Sequence, residues 1–254
     1  MTACRNIPVP AVPPVRVGAE TRVFVGHVAV ALAAKSKARN VSLGWLLAAA
    51  LALDLLWPNF LLAGIESVSI VPGATAFTPL RFDAYPWSHS LLMACVWGLC
   101  AAGIARWRGR ASGIALIIGA VVLSHWVLDA ASHAPDMPLW PGDSPRLGLG
   151  LWNSIPATLI VEGAVYLIGI AIYVRATRPI DRIGSIGLWA LLLFCALMWA
   201  SSPWSSPPPS PRVLAWFSQA VWLLIMWAWW VDRHRVVATE EIRVPELEFH
   251  DHGN

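Results

Sequence analysis

Residues 111–131 read ASGIALIIGAVVLSHWVLDAA. No Asp, Glu, Lys or Arg occurs before Asp129. At ~1.5 Å rise per residue, such a stretch extends about 30 Å, the thickness of a bilayer's hydrocarbon core. It reads as a membrane-spanning helix. It also carries a histidine and an aspartate four residues apart, which places both on one helix face. Four-residue steps continue to His133, where Pro135 predicts that the helix ends.

The rest of the chain extends this reading. Five further stretches are long and apolar enough to span: 43–65, 89–105, 155–174, 183–200 and 213–231. A shorter apolar piece, 23–34, precedes them. The expected fold is an all-α, polytopic integral membrane bundle of six long spans plus a short N-terminal helix. A single domain is expected over 21–235, with its site-bearing part at about 22–165. Residues 1–20, with Pro8, Pro10, Pro13 and Pro14 and no apolar core, are expected to be a flexible tail rather than a signal peptide. Residues 236–254 are expected to be a charged cytoplasmic tail.

Composition agrees. Of 254 residues, 57% are hydrophobic and only 13% charged, against roughly 25% charged in soluble domains. Mean hydropathy is +0.60. These values exclude a soluble globule, a disordered chain and a disulfide scaffold. The four cysteines form no C-x-x-C pair.

Basic residues sort by side. Lys35, Lys37, Arg39, Arg106, Arg108, Arg110, Arg175, Arg178, Arg182, Arg233 and Arg235 fall in alternate loops, and only Arg81, Arg146 and Arg212 fall in the others. The positive-inside rule places the first group, and the C-terminus, in the cytoplasm of a multi-pass cell-membrane protein. The partner implied is membrane lipid. No nucleic-acid motif is present, and the membrane-flanking basic residues need no nucleic acid to explain them.

Ionisable residues inside apolar segments are functional candidates, because a charge at bilayer depth costs at least ~2.5–3.5 kcal/mol. Asp54, Asp129 and Glu162 qualify, as do His27, His89 and His125. Counting from the cytoplasmic basic clusters at ~1.5 Å per residue puts Asp54, His89, His125, Asp129 and Glu162 at roughly 20–28 Å, in the outer half of the core. The same count puts His27 lower, at roughly 12 Å. Imidazole and carboxylate together suit zinc or another divalent transition metal. All six residues are therefore candidate metal ligands, for one ion or for two sharing a carboxylate.

These residues also carry a resemblance. Gly26-His27, Leu53-Asp54-Leu55, Ser88-His89-Ser90-Leu91-Leu92 and His125-Trp126-Val127-Leu128-Asp129 resemble the motifs of membrane-bound metal-dependent hydrolases. Similarity extends through GLGLWNS and Glu162 to about residue 165. Where many members carry an acidic pair, this chain has Leu53-Asp54-Leu55-Leu56. The family is similar in ligand logic to zinc-dependent phospholipase C. The resemblance implies hydrolysis of a phosphoester or lipid-like substrate, with a divalent metal, zinc, as cofactor. His133 and Asp136, at the outer mouth, are the expected proton-transfer residues, and Asn153 is placed to orient a substrate oxygen. Two alternatives stay open: an ion- or proton-coupled transporter, and a non-catalytic membrane protein with a structural metal site.

Overall fold

A computed structural model describes residues 25–238. The expected tail 1–20 and residues 239–254 lie outside the described residues. The chain runs α1 (Val25–Ala34), α2 (Leu43–Ala50), α3 (Ala52–Leu62), β1 (Ser67–Ile70), β2 (Leu80–Ala84), α4 (Pro86–His89), α5 (Leu91–Trp107) and α6 (Ser112–Ser132). It continues through β3 (Met137–Pro138), β4 (Arg146–Leu147), α7 (Ile155–Ala176), β5 (Thr177–Pro179), α8 (Leu188–Ser201), α9 (Pro211–Ser218), α10 (Val221–Arg233) and β6 (Arg235–Val237). Among the described residues, six strands form three isolated antiparallel pairs, β1–β2, β3–β4 and β5–β6, so the fold is helical with short ribbons at its ends.

Among the described residues, four continuous helical segments are long and apolar enough to cross a membrane: Ser112–Ser132, Ile155–Ala176, Ile183–Trp204 and Pro211–Arg233. The expected span at 43–65 is instead two helices, bent by 55° between Ala50 and Ala52. Counted as one, the pair is a fifth span. The expected span at 89–105 is α5, which has 17 residues and starts later. Ser90 caps it by accepting from Met93 N. His89 closes the separate turn α4, which opens on Pro86, a residue pre-set for a first helical position. The large apolar side chains that face outward, such as Trp107 at 82% exposure, Leu99, Leu116, Ile160 and Leu167, mark a lipid-facing surface. The chain is a multi-pass helical membrane protein.

α1 is apolar all round and accordingly lies inside the bundle, with Val25 through Ala29, Ala31 and Leu32 buried. Its neighbours come very close. A Cβ on Gly169 of α7 would stand 2.6 Å from Ala29 Cα and 2.6 Å from its carbonyl oxygen. Gly98 and Gly119 meet in the same way where α5 crosses α6: a Cβ on either would stand 2.9 Å from the other's carbonyl oxygen. Small residues let membrane helices approach to backbone contact, which is where dispersion attraction is gained. Gly169→Val is therefore expected to push α1 from α7 and to destabilise the fold by about 1–3 kcal/mol or more. Thermal unfolding in detergent checks this, and an unchanged midpoint would contradict the packing.

The end of the bundle that carries most of the basic residues is held by a buried polar knot. Lys35, read from sequence as a loop cation, is only 6% exposed. Its Nζ donates to Asp232 Oδ2 at 2.7 Å and to Val41 O at 2.8 Å. Asp232 also accepts from Leu43 N and from Tyr173 Oη. One carboxylate thus ties α1, the start of α2, α7 and α10. Nearby, Arg235 of β6 donates to Thr177 Oγ1 and to the Gly184 carbonyl. On the surface there, Gly184 N–H and His234 hold the Asp181 carboxyl below its usual range. The C-terminal tail expected from residue 236 therefore begins as part of strand β6.

Candidate metal centre

The bend between α2 and α3 builds half of the site. Helix α2 stops at Leu51 (φ −103°, ψ 15°), and the last carbonyls of a helix lack helical donors. One of them, Ala50 O, lies 2.8 Å from His125 Nδ1 on α6. This contact places a proton on Nδ1, so in the neutral ring the lone pair is on Nε2. The restart of the helix at Ala52 puts Asp54 in the first turn of α3, beside that same imidazole. A straight helix through residue 51 would provide neither the free carbonyl nor the change of direction.

The i, i+4 pair on α6 meets as expected, with His125 Nε2 3.1 Å from Asp129 Oδ2. His89 Nε2 stands 3.6 Å from Asp129 Oδ2 and 3.7 Å from Asp54 Oδ1. His125 Nε2 is 3.8 Å from Asp54 Oδ1. From α3, α4 and α6, two imidazole Nε2 atoms thus each stand 3.1–3.8 Å from both carboxylates. Atoms bound to one divalent ion at ~2.0–2.1 Å in tetrahedral geometry stand about 3.3 Å apart. The donor set, two imidazoles and two carboxylates, suits such an ion in both spacing and chemistry.

His27 joins from α1. Its Nε2 lies 3.0 Å from Asp129 Oδ1, and its ring stacks on His125 at 3.8 Å between centroids with 4° between planes. The depth count had put His27 lower. That count started from Lys35, which is itself buried and so marks no membrane boundary. Two overlapping groups therefore have ligand atoms within 4.8 Å of one another: His27, His125 and Asp129, and Asp54, His89 and His125.

Glu162 stands apart from both groups. Its Oε1 accepts from Ser132 Oγ and Trp152 Nε1, each at 3.2 Å. It lines a cavity of about 400 Å³ whose other walls include His27 and Asp129. Asn153 lies exposed in the 3-10 turn Leu151–Asn153 and is not among the residues lining either cavity.

A cleft of about 570 Å³ opens beside the donor atoms. Asp54, His89 and Asp129 line it together with His133, Trp57, Phe82 and Leu214. His133 ends α6, as Pro135 foreshadows, with extended backbone at φ −66° and ψ 154°. Its Nδ1 lies 3.0 Å from Asp136 Oδ1. Tyr85 Oη donates to the same oxygen at 2.7 Å. Burial, reinforced by the Asp136 carboxylate, pushes the Tyr85 phenol well above its ordinary value, so it remains a hydrogen-bond donor.

Three further residues at this site were not assigned a role from the sequence. Tyr85 and Glu66 sit in a polar loop without periodicity, and Ser88 reads as a cap for the following helix. Glu66 is 5% exposed, and it accepts from Trp87 N, Ser88 N and Ser88 Oγ at 2.7–2.9 Å. Only the return of the β1–β2 ribbon brings it there.

No known protein family, curated protein or solved structure matches the chain. What the helices and the side-chain geometry establish is a multi-span helical membrane protein with buried, overlapping His/Asp clusters able to chelate a metal ion.

Proposed function

We propose that this protein is a membrane-embedded, metal-dependent hydrolase of a phosphoester or lipid-like substrate. In this reading Asp54, His89, His125 and Asp129 hold one divalent ion, zinc, and His27 orients Asp129 through its second oxygen. The site lies in the outer half of the membrane, with the basic loops and the C-terminus cytoplasmic and with α5 as a short additional span. One observation carries the proposal: Asp54, His89 and Asp129 line the same open cleft as His133. A purely structural ion is enclosed by its ligands, whereas catalysis needs an approach for substrate.

A divalent ion in this place supplies Lewis acidity and activates water at neutral pH. The chain's own residues supply the rest. Asp136 holds the His133 proton on Nδ1, and Tyr85 steadies Asp136 from the other side. The second imidazole nitrogen is then the one that exchanges a proton with substrate or water. Trp57, Leu80, Phe82, Leu214 and Val221 give the cleft apolar walls, which suit the hydrocarbon part of an amphiphile.

Chromogenic phosphodiester and carboxylic-ester probes in detergent micelles test this. His133→Ala is expected to lower turnover about 10²–10⁴-fold while metal content stays at the wild-type level. Equal turnover by the two proteins would remove His133 from the chemistry. Ion transport is the second reading, favoured by Asp129 lining both cavities. Ion flux in reconstituted vesicles, with no hydrolysis of either probe, would select it.

A further inference from the structure

His89 receives its orientation from a short chain of buried groups, and counting protons along that chain fixes its direction. Ser88 is fully buried, and His89 and Glu66 are nearly so. Ser88 Oγ lies 2.7 Å from Glu66 Oε2 and 2.7 Å from His89 Nδ1. A carboxylate can only accept, so the single hydroxyl proton of Ser88 goes to Glu66. The hydroxyl oxygen must then accept from His89, which requires a proton on Nδ1. A neutral imidazole with Nδ1–H has its lone pair on Nε2, the atom that faces Asp54 and Asp129.

We infer that Glu66 and Ser88 are positioning residues for His89, holding its proton on Nδ1 so that Nε2 is available as a metal ligand. This rests on the metal reading above for its purpose, although not for its geometry. A carboxylate behind a ligating histidine is a recurrent arrangement, and it also raises the basicity of the ligand nitrogen. Here a serine hydroxyl is interposed. The other oxygen of Glu66 accepts from Trp87 N and Ser88 N, so the carboxylate also holds the turn that carries His89.

That double role makes Glu66→Gln informative. The backbone donors of Trp87 and Ser88 pin the amide oxygen at the Oε1 position. The amide nitrogen then takes the Oε2 position and donates to Ser88 Oγ. The Ser88 proton then goes to His89 Nδ1 at 2.7 Å rather than to the more distant Tyr85 carbonyl at 3.5 Å, which moves the imidazole proton to Nε2, facing the site. Zinc affinity of the full-length detergent-solubilised protein, measured by competition with a chromophoric chelator, is expected to fall about 10–100-fold in E66Q. Ser88→Ala removes the link but leaves both backbone bonds of Glu66, and a fall near the lower end of that range is expected. The double variant E66Q/S88A is expected to bind zinc better than E66Q, because the misdirected donor is gone. A merely structural Glu66 would show no such recovery.

Wild-type affinity in E66Q, or a double variant no better than E66Q, would overturn the inference. Nitrogen-15 spectra of the metal-free protein separate this from the metal reading. They are expected to show His89 Nδ1 protonated in the wild type and unprotonated in E66Q. If the wild type binds no zinc, the metal reading fails and these spectra still decide the relay. An unprotonated His89 Nδ1 in the wild type would overturn it.

Discussion

Purified in detergent, Asp129→Ala is expected to contain no stoichiometric divalent metal, whereas the wild type carries it. Asp129 is the residue on which the candidate ligands converge. One oxygen faces His125 and His89 at 3.1 and 3.6 Å, and the other faces His27 at 3.0 Å. Truncation removes a charged ligand and releases His27 at once. The loss should exceed the ~10–100-fold typical of residues behind the ligands. Asp54→Ala and His125→Ala should follow the same direction. Glu162→Gln provides the contrast: Glu162 lies outside both clusters and bonds to Ser132 and Trp152, so its variant should keep the metal. Elemental analysis reads all four. Wild-type metal in Asp129→Ala would dismiss the proposed ligand set, and its loss in Glu162→Gln would enlarge that set.

The second large effect lies at the opposite end of the bundle. Asp232→Ala leaves Lys35 buried without its counter-charge, and it strips partners from Leu43 N and Tyr173 Oη. Breaking a buried ion pair from one side costs about 3–5 kcal/mol, chiefly because the remaining charge stays desolvated. A fall of that size is expected in unfolding free energy, read from denaturant titration in detergent micelles. Replacing both partners, as in Lys35→Met with Asp232→Leu, should cost clearly less, since no uncompensated charge remains. A double variant as unstable as the single one would mean that the contacts to Leu43 and Tyr173, rather than the ion pair, hold this end.

The particular residues separate what could be read in advance from what could not. His125 and Asp129 were legible because both lie on one helix, where spacing alone assigns a common face. Asp54 and His89 were legible as candidates because a polar residue in an apolar stretch is costly and so conspicuous. Their mutual distances were not, since these depend on a 55° bend at Leu51 and on a one-turn helix before α5. The burial of Lys35 was not legible for a related reason. Its position after an apolar helix resembles a loop cation, and only the partner 197 residues away makes it a buried one. Glu66 in a loop and Ser88 in the one-turn helix α4 carried no periodic signal, because such short segments acquire roles only through what the fold returns to them.

The sequence by itself determined the solvent: a chain this apolar must place helices in lipid, and its scarce acids and histidines must be shielded within them. Those constraints are local or compositional, acting through transfer free energy and helical period. Tertiary structure alone decided which of those groups meet. It gathered His27, Asp54, His89, His125 and Asp129, left Glu162 beside them, and supplied Glu66 and Tyr85 from loops and Ser88 from the one-turn helix α4. The physical reason is that these meetings depend on bends, caps and glycine crossings where helices touch, and such contacts involve residues far apart in the chain.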